Sequence, residues 1–482
     1  MTTRFRHLPA EPWRWDAVDL AEAIRLGALS SREATQACLD RLAAVNPRIN
    51  AVVAVLAEEA LAAAEAADAA RRRGEALAPL HGVPVTIKDN VDQAGQATVD
   101  GVPGGRQRIA AEDSPVVANW RRAGVVILGR TNTPSFSARW DTDNAVFGRS
   151  WNPWSRLRTA GGSSGGAAGA LASGIGPLAH GNDLGGSIRY PAYCCGVAGL
   201  RPTQGRVPSF NPSAFEEGGP AGPLISVNGL LARRVRDLRL GFGPLAAGDA
   251  RDPGWVPAPL HGPPPPRPIR VALVTEAPGL HVHPAIERTL REAAAALADA
   301  GYQVEPVATP AIAEAAALWA AIGSTDTRHL GWPVLERFAD EGVKRVNSLF
   351  MDAVPPVDLA GYLRVLSKMR SERRAWSVFL ERYPLVLGPN SGDLAFPIGF
   401  DTRDLEAMQH QLQMQALMVA VNLLGLPAVA VPTGTVAVAD APLGLPIGVQ
   451  LVAGRFREDL ALDAAEVVEA HLGLDTPIDP VG

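Results

Sequence analysis

Three cysteines in 482 residues, two of them adjacent, leave no basis for a disulfide framework. Cys38, Cys194 and Cys195 are therefore expected to be free thiols, which suits a reducing, cytoplasmic compartment. No zinc-type spacing of Cys and His occurs, so no metal is expected, and nothing calls for a cofactor. No uninterrupted apolar run reaches 18 residues, which argues against a membrane-spanning helix. The first residues, MTTRFRHLPAEPWRW, lack the apolar segment of a secretory leader. Positive charge is also short. Lys and Arg number 45 against 50 Asp and Glu, so neither a nucleic acid nor an anionic membrane surface is an expected partner. The longest basic run, Arg71-Arg72-Arg73, closes an alanine-rich helical pattern, where cations suit the helix end. No G-x-x-x-x-G-K-[ST] follows a strand, which counts against a phosphate binder built on a Gly-rich loop.

What is present is an ordinary apolar fraction, 47%, enough for a large core. Length alone suggests about three domains. The apolar spacing predicts helices over 17–26, stopped by Gly27, and over 31–45, opened by the capping box Ser30–Glu33 and ended by Asn46-Pro47. A β-rich stretch, 49–56, and an alanine-dense helix, 58–73, follow. Strands are expected at 83–87 and 125–128, with a helix at 114–123 between them. That alternation favours an α/β fold. The polar, aromatic stretch 131–147 reads as a loop. Residues 228–245 read as a helix. Residues 252–268, with four consecutive prolines, are linker-like. Beyond them come strand 269–274, helix 284–300, strand 302–307, a mostly helical region 318–382 interrupted at 351–356, strands at 385–389, 428–432 and 446–452, and a helix at 458–472.

One stretch carries chemistry. Gly161-Gly-Ser-Ser-Gly-Gly166 is followed by Asp183-Leu-Gly-Gly-Ser-Ile-Arg189, which sets Ser163 and Ser187 in glycine surroundings. Glycine lets backbone approach a reacting atom closely, and neighbouring N–H groups can face developing charge. This points to a serine nucleophile with an oxyanion hole. A flexible Gly/Ser linker is the plainer reading, but apolar, helix-competent residues 167–172 follow directly. Lys88 ends the apolar strand of Thr86-Ile-Lys-Asp-Asn90. Alone, a lysine in that place more often snorkels outward.

Taken together, Lys88, the GGSSGG stretch, Asp183–Arg189 and Cys195-Gly-Val-Ala-Gly-Leu-Arg-Pro-Thr203 resemble the amidase signature family. The likeness continues in Asn422–Ala428 and Pro446–Leu451 and spans most of the chain. It implies an α/β fold: one large domain, 1–482, around a central mixed, twisted sheet flanked by helices. The Pro-rich 252–268 then becomes a surface excursion, and 318–382 a helical, pocket-covering insertion. The resemblance implies a catalytic triad of Lys88, Ser163 and Ser187, and a cis peptide before Ser163.

The chemistry is coherent with that set. An amide needs an activated nucleophile and a proton for the departing amine. No histidine stands in a convincing position. His180, the nearest, reads as a structural hydrogen-bonder. A lysine acts as base only when neutral, which burial favours. Ser163 would relay the proton between Lys88 and Ser187, and Ser187 would form the acyl-enzyme. The N–H groups of Leu184, Gly185, Gly186 and Ser187 would hold the oxyanion. Asp183 and Arg189 would fix the loop, and Ser164 would make structural hydrogen bonds. Asn182 stands where many relatives carry Thr. Trp140 and Asp141, with side chains from 318–382, are the expected substrate pocket; Trp140 alternatively packs into the core. The expected function is hydrolysis of small amides, aryl or extended in the acyl part. Anilides, esters and carbamates are open to the same machinery. The alternative is the glutaminase component of a tRNA-dependent amidotransferase complex, for which the 131–147 stretch is atypical. The sequence sets no oligomeric state.

Overall fold

Thirteen strands organise the chain in a computed structural model, which describes residues 5, 8–214, 218–276, 278 and 280–481. Part of the N-terminal stretch read above for a leader lies outside these residues. In chain order the strands are β1 (Val52–Val55), β2 (Pro84–Lys88), β3 (Val126–Thr131), β4 (Trp151–Asn152), β5 (Ser155–Thr159), β6 (Leu178–Asp183), β7 (Ala198–Arg201), β8 (Val227–Ala232), β9 (Arg270–Leu273), β10 (Gln303–Pro306), β11 (Leu385–Pro389), β12 (Ala428–Val438) and β13 (Ala441–Ala453). Eleven form one mixed sheet in the order β1-β3-β2-β6-β8-β7-β12-β13-β11-β9-β10, and β4 and β5 make a separate hairpin. β2 runs parallel to both β3 and β6.

The sheet is covered on both faces. Alternate residues of one strand join different cores: Leu385 and Leu387 one, Val386 the other; Val271 and Leu273 one, Ala272 the other. Period-two alternation does this, and burial on both faces explains why the strands read as continuous apolar runs. Helices Val235–Leu245, Pro284–Asp299 and Glu458–Leu472 cover one face. Helices Ile312–Asp326, Leu359–Arg382 and Ala416–Leu424 cover part of the other.

Three sequence expectations are corrected. Residues 228–245 are not one helix: β8 comes first, paired with β6 and β7, and the helix starts at Val235. An apolar run buried on both sides has no periodicity that separates strand from helix. Asn46-Pro47 does not end its helix, which continues to Ile49. Pro47 sits in the last turn, and the Asn46 side chain accepts from the Ala51 and Val52 N–H groups to shape the exit. The region 318–382 breaks at 339–340 as well as at 354–358. The irregular stretch 252–268 is tied to the body, with Arg206 donating to the Pro259 carbonyl (2.7 Å) and the Gly262 N–H donating to Asp459 (3.1 Å). The strands on either side of it belong to the same sheet.

Candidate active site

β2 and β6 are parallel neighbours, so their C-terminal ends open at the same edge of the sheet, where ligands of open α/β sheets bind. Lys88 is the last residue of β2, and Asp183 the last of β6. Lys88 is wholly buried. Its Nζ donates to Ser163 Oγ and to Asn182 Oδ1, both at 2.7 Å. Burial pushes its pKa down to about 7, against the pull of Asp100 and Asp183.

Ser163 follows a cis Gly162–Ser163 peptide and stands just before the helix Gly165–Ala172. Gly161 has φ +76°, and a Cβ there would lie 2.6 Å from Pro191 Cα. A Cβ on Gly162 would lie 2.5 Å from the Arg139 carbonyl oxygen. The chain thus threads between two backbones where only glycine fits. Ser187 sits on the short loop between β6 and the helix Arg189–Cys195, at the edge of a cavity. Its hydroxyl makes no hydrogen bond among the described residues. The two serine segments are joined through backbone: the Ser164 N–H donates to the Ser187 carbonyl, 3.2 Å. The structural role expected of Ser164 thus falls to its backbone. Its hydroxyl has no partner among the described residues.

Asp183 braces the Ser187 loop. Its carboxylate accepts from the N–H groups of Gly186 (2.8 Å) and Ile188 (3.2 Å), from Asn422 Nδ2 (2.8 Å), and from two nitrogens of Arg189 (3.1 Å each). These partners hold its pKa well below the usual carboxylate range despite burial. One oxyanion expectation is thereby corrected. The Gly186 N–H is already taken up by Asp183, while those of Leu184, Gly185 and Ser187 have no partner among the described residues.

The cavity, about 240 Å³, is walled by Trp140, Trp319, Phe350, Phe136, Val346 and Met408, with Ser187 and Leu184 at its edge. Trp140 and Trp319 stack with centroids 6.2 Å apart, and Phe350 tilts against Trp319 at 5.9 Å. Trp140 is half-buried at this wall. Asp141 does not line the cavity. It is buried behind the wall, accepting from Thr159 Oγ1 (2.7 Å) and paired with Arg149 and Arg139, which itself grips Asp401 through two bonds of 2.9 Å. Its neighbour Trp140 and a loop-like composition gave no sign of that network.

Other site residues escaped the sequence reading. Asn182 was visible only as a departure from family habit; its bond to Lys88 needs the register of β2 against β6. Asp100 lies near Lys88 and accepts from Ser137 Oγ (3.0 Å), which also meets Asn90 Nδ2 (2.8 Å) and Thr133 Oγ1 (2.9 Å). Asp100, Phe136 and Ser137 all have left-handed backbone, φ 50°, 54° and 56°, and the last two border the cavity. Non-glycine residues held this way cluster at functional sites. His180 is buried in β6, bonded to Asn228 (3.2 Å), and burial pushes its pKa down to about 3, so it is neutral. Among the described residues no group of His, Cys, Asp or Glu is arranged to hold a metal ion, and no helix is long and apolar enough to cross a membrane.

A sequence model of the family described as Amidase matches residues 33–462. The chain belongs to the amidase family. It is 45% identical over 463 residues to an indoleacetamide hydrolase of Bradyrhizobium diazoefficiens, covering 96% of this chain and 87% of that one. It is 32% identical to a glutamyl-tRNA(Gln) amidotransferase component of Moorella thermoacetica, covering 94% and 96%. Among solved structures it resembles 6-aminohexanoate cyclic dimer hydrolase complexed with substrate, with TM-score 0.82, 30% identity and coverage of 97% and 99%. This amidase family member is an enzyme that hydrolyses amide C–N bonds.

Proposed function

We propose that this amidase cleaves small amides with a flat aromatic acyl group, of the arylacetamide class that indole-3-acetamide exemplifies, through a serine acyl-enzyme. The observation that carries this is the cavity of aromatic rings beside the Ser187 hydroxyl. Its volume lies just below the roughly 300–1,000 Å³ of drug-sized sites, which suits a small substrate. The name of the 45% identical relative supports the same class.

In this reading neutral Lys88 is the base, Ser163 the relay and Ser187 the nucleophile. The Ser187 proton passes to Ser163 Oγ as the Ser163 proton passes to Lys88 Nζ. Ser187 Oγ bonds to the carbonyl carbon, and the oxyanion meets the free N–H groups of the 184–187 loop. The C–N bond then breaks, the amine takes the proton back along the same relay, and the ester remains. Water attacks the ester by the same route and releases the carboxylic acid. The helices between 312 and 353 supply side chains to the cavity wall, and 252–268 is a surface excursion. A reducing cytoplasmic setting suits the three cysteines, all free thiols.

A glutaminase role fits the cavity less well. Glutamine carries an α-carboxylate and an ammonium, and Arg139, the one cation at the wall among the described residues, is already bound to Asp401 and Asp141. The test is a panel of indole-3-acetamide, phenylacetamide, acetamide, glutamine, a p-nitroanilide, an ester and a carbamate on purified protein. The aryl acetamides should exceed acetamide in kcat/KM by about a hundredfold. Equal rates for aryl and alkyl amides, or ammonia release mainly from glutamine, would overturn the aromatic assignment.

A further inference from the structure

Two tryptophans at the cavity wall do more than present rings. Trp319 Nε1–H donates to the Leu184 carbonyl at 2.9 Å, and Trp140 Nε1–H donates to the Gly185 carbonyl at 2.8 Å. These are consecutive carbonyls of the loop that carries Ser187. A trans peptide is planar, with its N–H pointing opposite its C=O. Holding the Leu184 carbonyl against Trp319 therefore turns the Gly185 N–H to the other side. Holding the Gly185 carbonyl against Trp140 turns the Gly186 N–H the other way as well. The two peptides are held differently. The Gly186 N–H ends on Asp183, so that peptide is clamped from both ends. The Gly185 N–H has no partner among the described residues, so its peptide is held only at the carbonyl end. The indole also lies directly on the glycine: a Cβ at Gly185 would be 2.5 Å from Trp319 Cζ2, which excludes any side chain between ring and loop.

We infer that Trp319 is a positioning residue for the oxyanion hole: its indole N–H, through the Leu184 carbonyl, aims the Gly185 N–H at the developing charge. Trp140 is the lesser partner, since Asp183 already fixes the peptide it holds. The inference rests on the Ser187 acyl-enzyme reading. It adds that recognition and catalysis share a part, because the ring that meets the acyl group also sets an oxyanion donor.

The test separates ring from N–H. Trp319→Phe keeps an aromatic wall and loses the donor. Replacement of Trp319 by 3-benzothienylalanine keeps the bicyclic shape and substitutes sulfur for N–H, which guards against loss of folding. Both should lower kcat about 10- to 100-fold, below the cost of deleting an oxyanion donor outright. KM should hold nearly constant, and the factor should be the same for indole-3-acetamide and acetamide. Affinity for an arylacetyl trifluoromethyl ketone, whose adduct carries the oxyanion, should fall by the same factor, while affinity for the arylacetic acid product holds. Trp140→Phe should cost less. If benzothienylalanine at 319 leaves kcat and ketone affinity unchanged while Ser187→Ala is inactive, Trp319 is only a wall. If Ser187→Ala is itself active, the acyl-enzyme reading fails instead. A rise in KM confined to aryl substrates would likewise reduce Trp319 to recognition.

Discussion

Around Ser163 and Ser187 the framework is set by hydrogen bonds and charged neighbours, with Lys88 on Ser163 and Asp183 on the Ser187 loop, whereas the wall opposite is ring carbon from Trp140, Trp319 and Phe350. The first region is mostly inside, with Leu184 of its loop exposed. Lys88, Asp183 and Arg189 have no accessible surface, and glycines pass where a Cβ would collide with backbone. The second draws Trp319 and Phe350 from a helical region that leaves apolar side chains in solvent, Phe338 at 45% and Leu363 at 58% exposure, and Trp140 from a loop. In the proposed mechanism the difference follows from what each must do. Bond making needs atoms placed to a fraction of an ångström, which hydrogen bonds and close backbone contacts provide. Acyl recognition needs area and shape, which stacked rings supply while tolerating repacking. The first region should then respond to substitution by losing rate, and the second by losing discrimination except where an indole N–H also holds the Ser187 loop.

The sharpest break would come at Ser187. Ser187→Ala should lower kcat at least about a thousandfold, as loss of an acting triad member does. The melting temperature should hardly move, because the hydroxyl has no hydrogen bond to lose among the described residues. Turnover above a hundredth of wild type in folded protein would remove Ser187 from the nucleophile's role. A fluorophosphonate adduct mapped to another residue would do the same.

Lys88 comes next. Lys88→Met should abolish nearly as much activity, and the wild-type pH profile should show why. Only the neutral amine accepts a proton, and burial brings the Lys88 pKa to about 7. Protonation therefore removes the base as pH falls. The kcat/KM should be flat on the alkaline side and drop about tenfold per unit below the pKa. A profile flat down to pH 5 would mean that lysine is not the base.

In the recognition region the effects are smaller. Trp140→Ala should change the kcat/KM ratio between a bulky aryl amide and acetamide about tenfold, near 1.4 kcal/mol. A smaller common loss should accompany it, since the indole also holds the Gly185 carbonyl. Equal losses for both substrates would make Trp140 a loop support only, and the contrast between the two regions would blur at that residue.

Much of the rate-setting region was legible because its requirements are local. Glycines at 161–162 and 185–186 mark close backbone approach, and Ser163 and Ser187 stand among them. Lys88 drew attention from its place at the end of an apolar run, but its expected role came from the family resemblance of the surrounding motif. Many core strands showed themselves as apolar runs, but β6 and β7 did not, and at 228–245 the Arg233-Arg234 pair that separates β8 from the next helix was passed over. The recognition region was less legible. Its side chains come from three separated segments, and nothing local distinguishes Trp319 or Phe350 from core residues at helical spacing. Asp141 was misread because adjacency to Trp140 says nothing about which way a loop side chain turns. Asn182 and Asp100 act across strands and turns, so only register and fold reveal them.

Asp100 supplies the finest test of where the rate-setting region ends. It touches neither serine, yet its charge favours the protonated form of Lys88 and so holds that pKa higher than burial alone would. Its own carboxyl is pushed up by burial, while Ser137 and Lys88 pull it back. The two groups titrate as a pair, so the acid limb of the profile belongs to both. Asp100→Asn keeps an oxygen for the Ser137 hydroxyl, which preserves the local geometry, and deletes the charge. Without that charge Lys88 gives up its proton more easily. The acid limb should move to lower pH, with the plateau rate nearly unchanged. A limb that moves to higher pH would contradict the electrostatic argument. A collapse of the plateau with the limb in place would make Asp100 a group that handles the substrate or its proton, and would extend the rate-setting region to the turn that borders the aromatic wall.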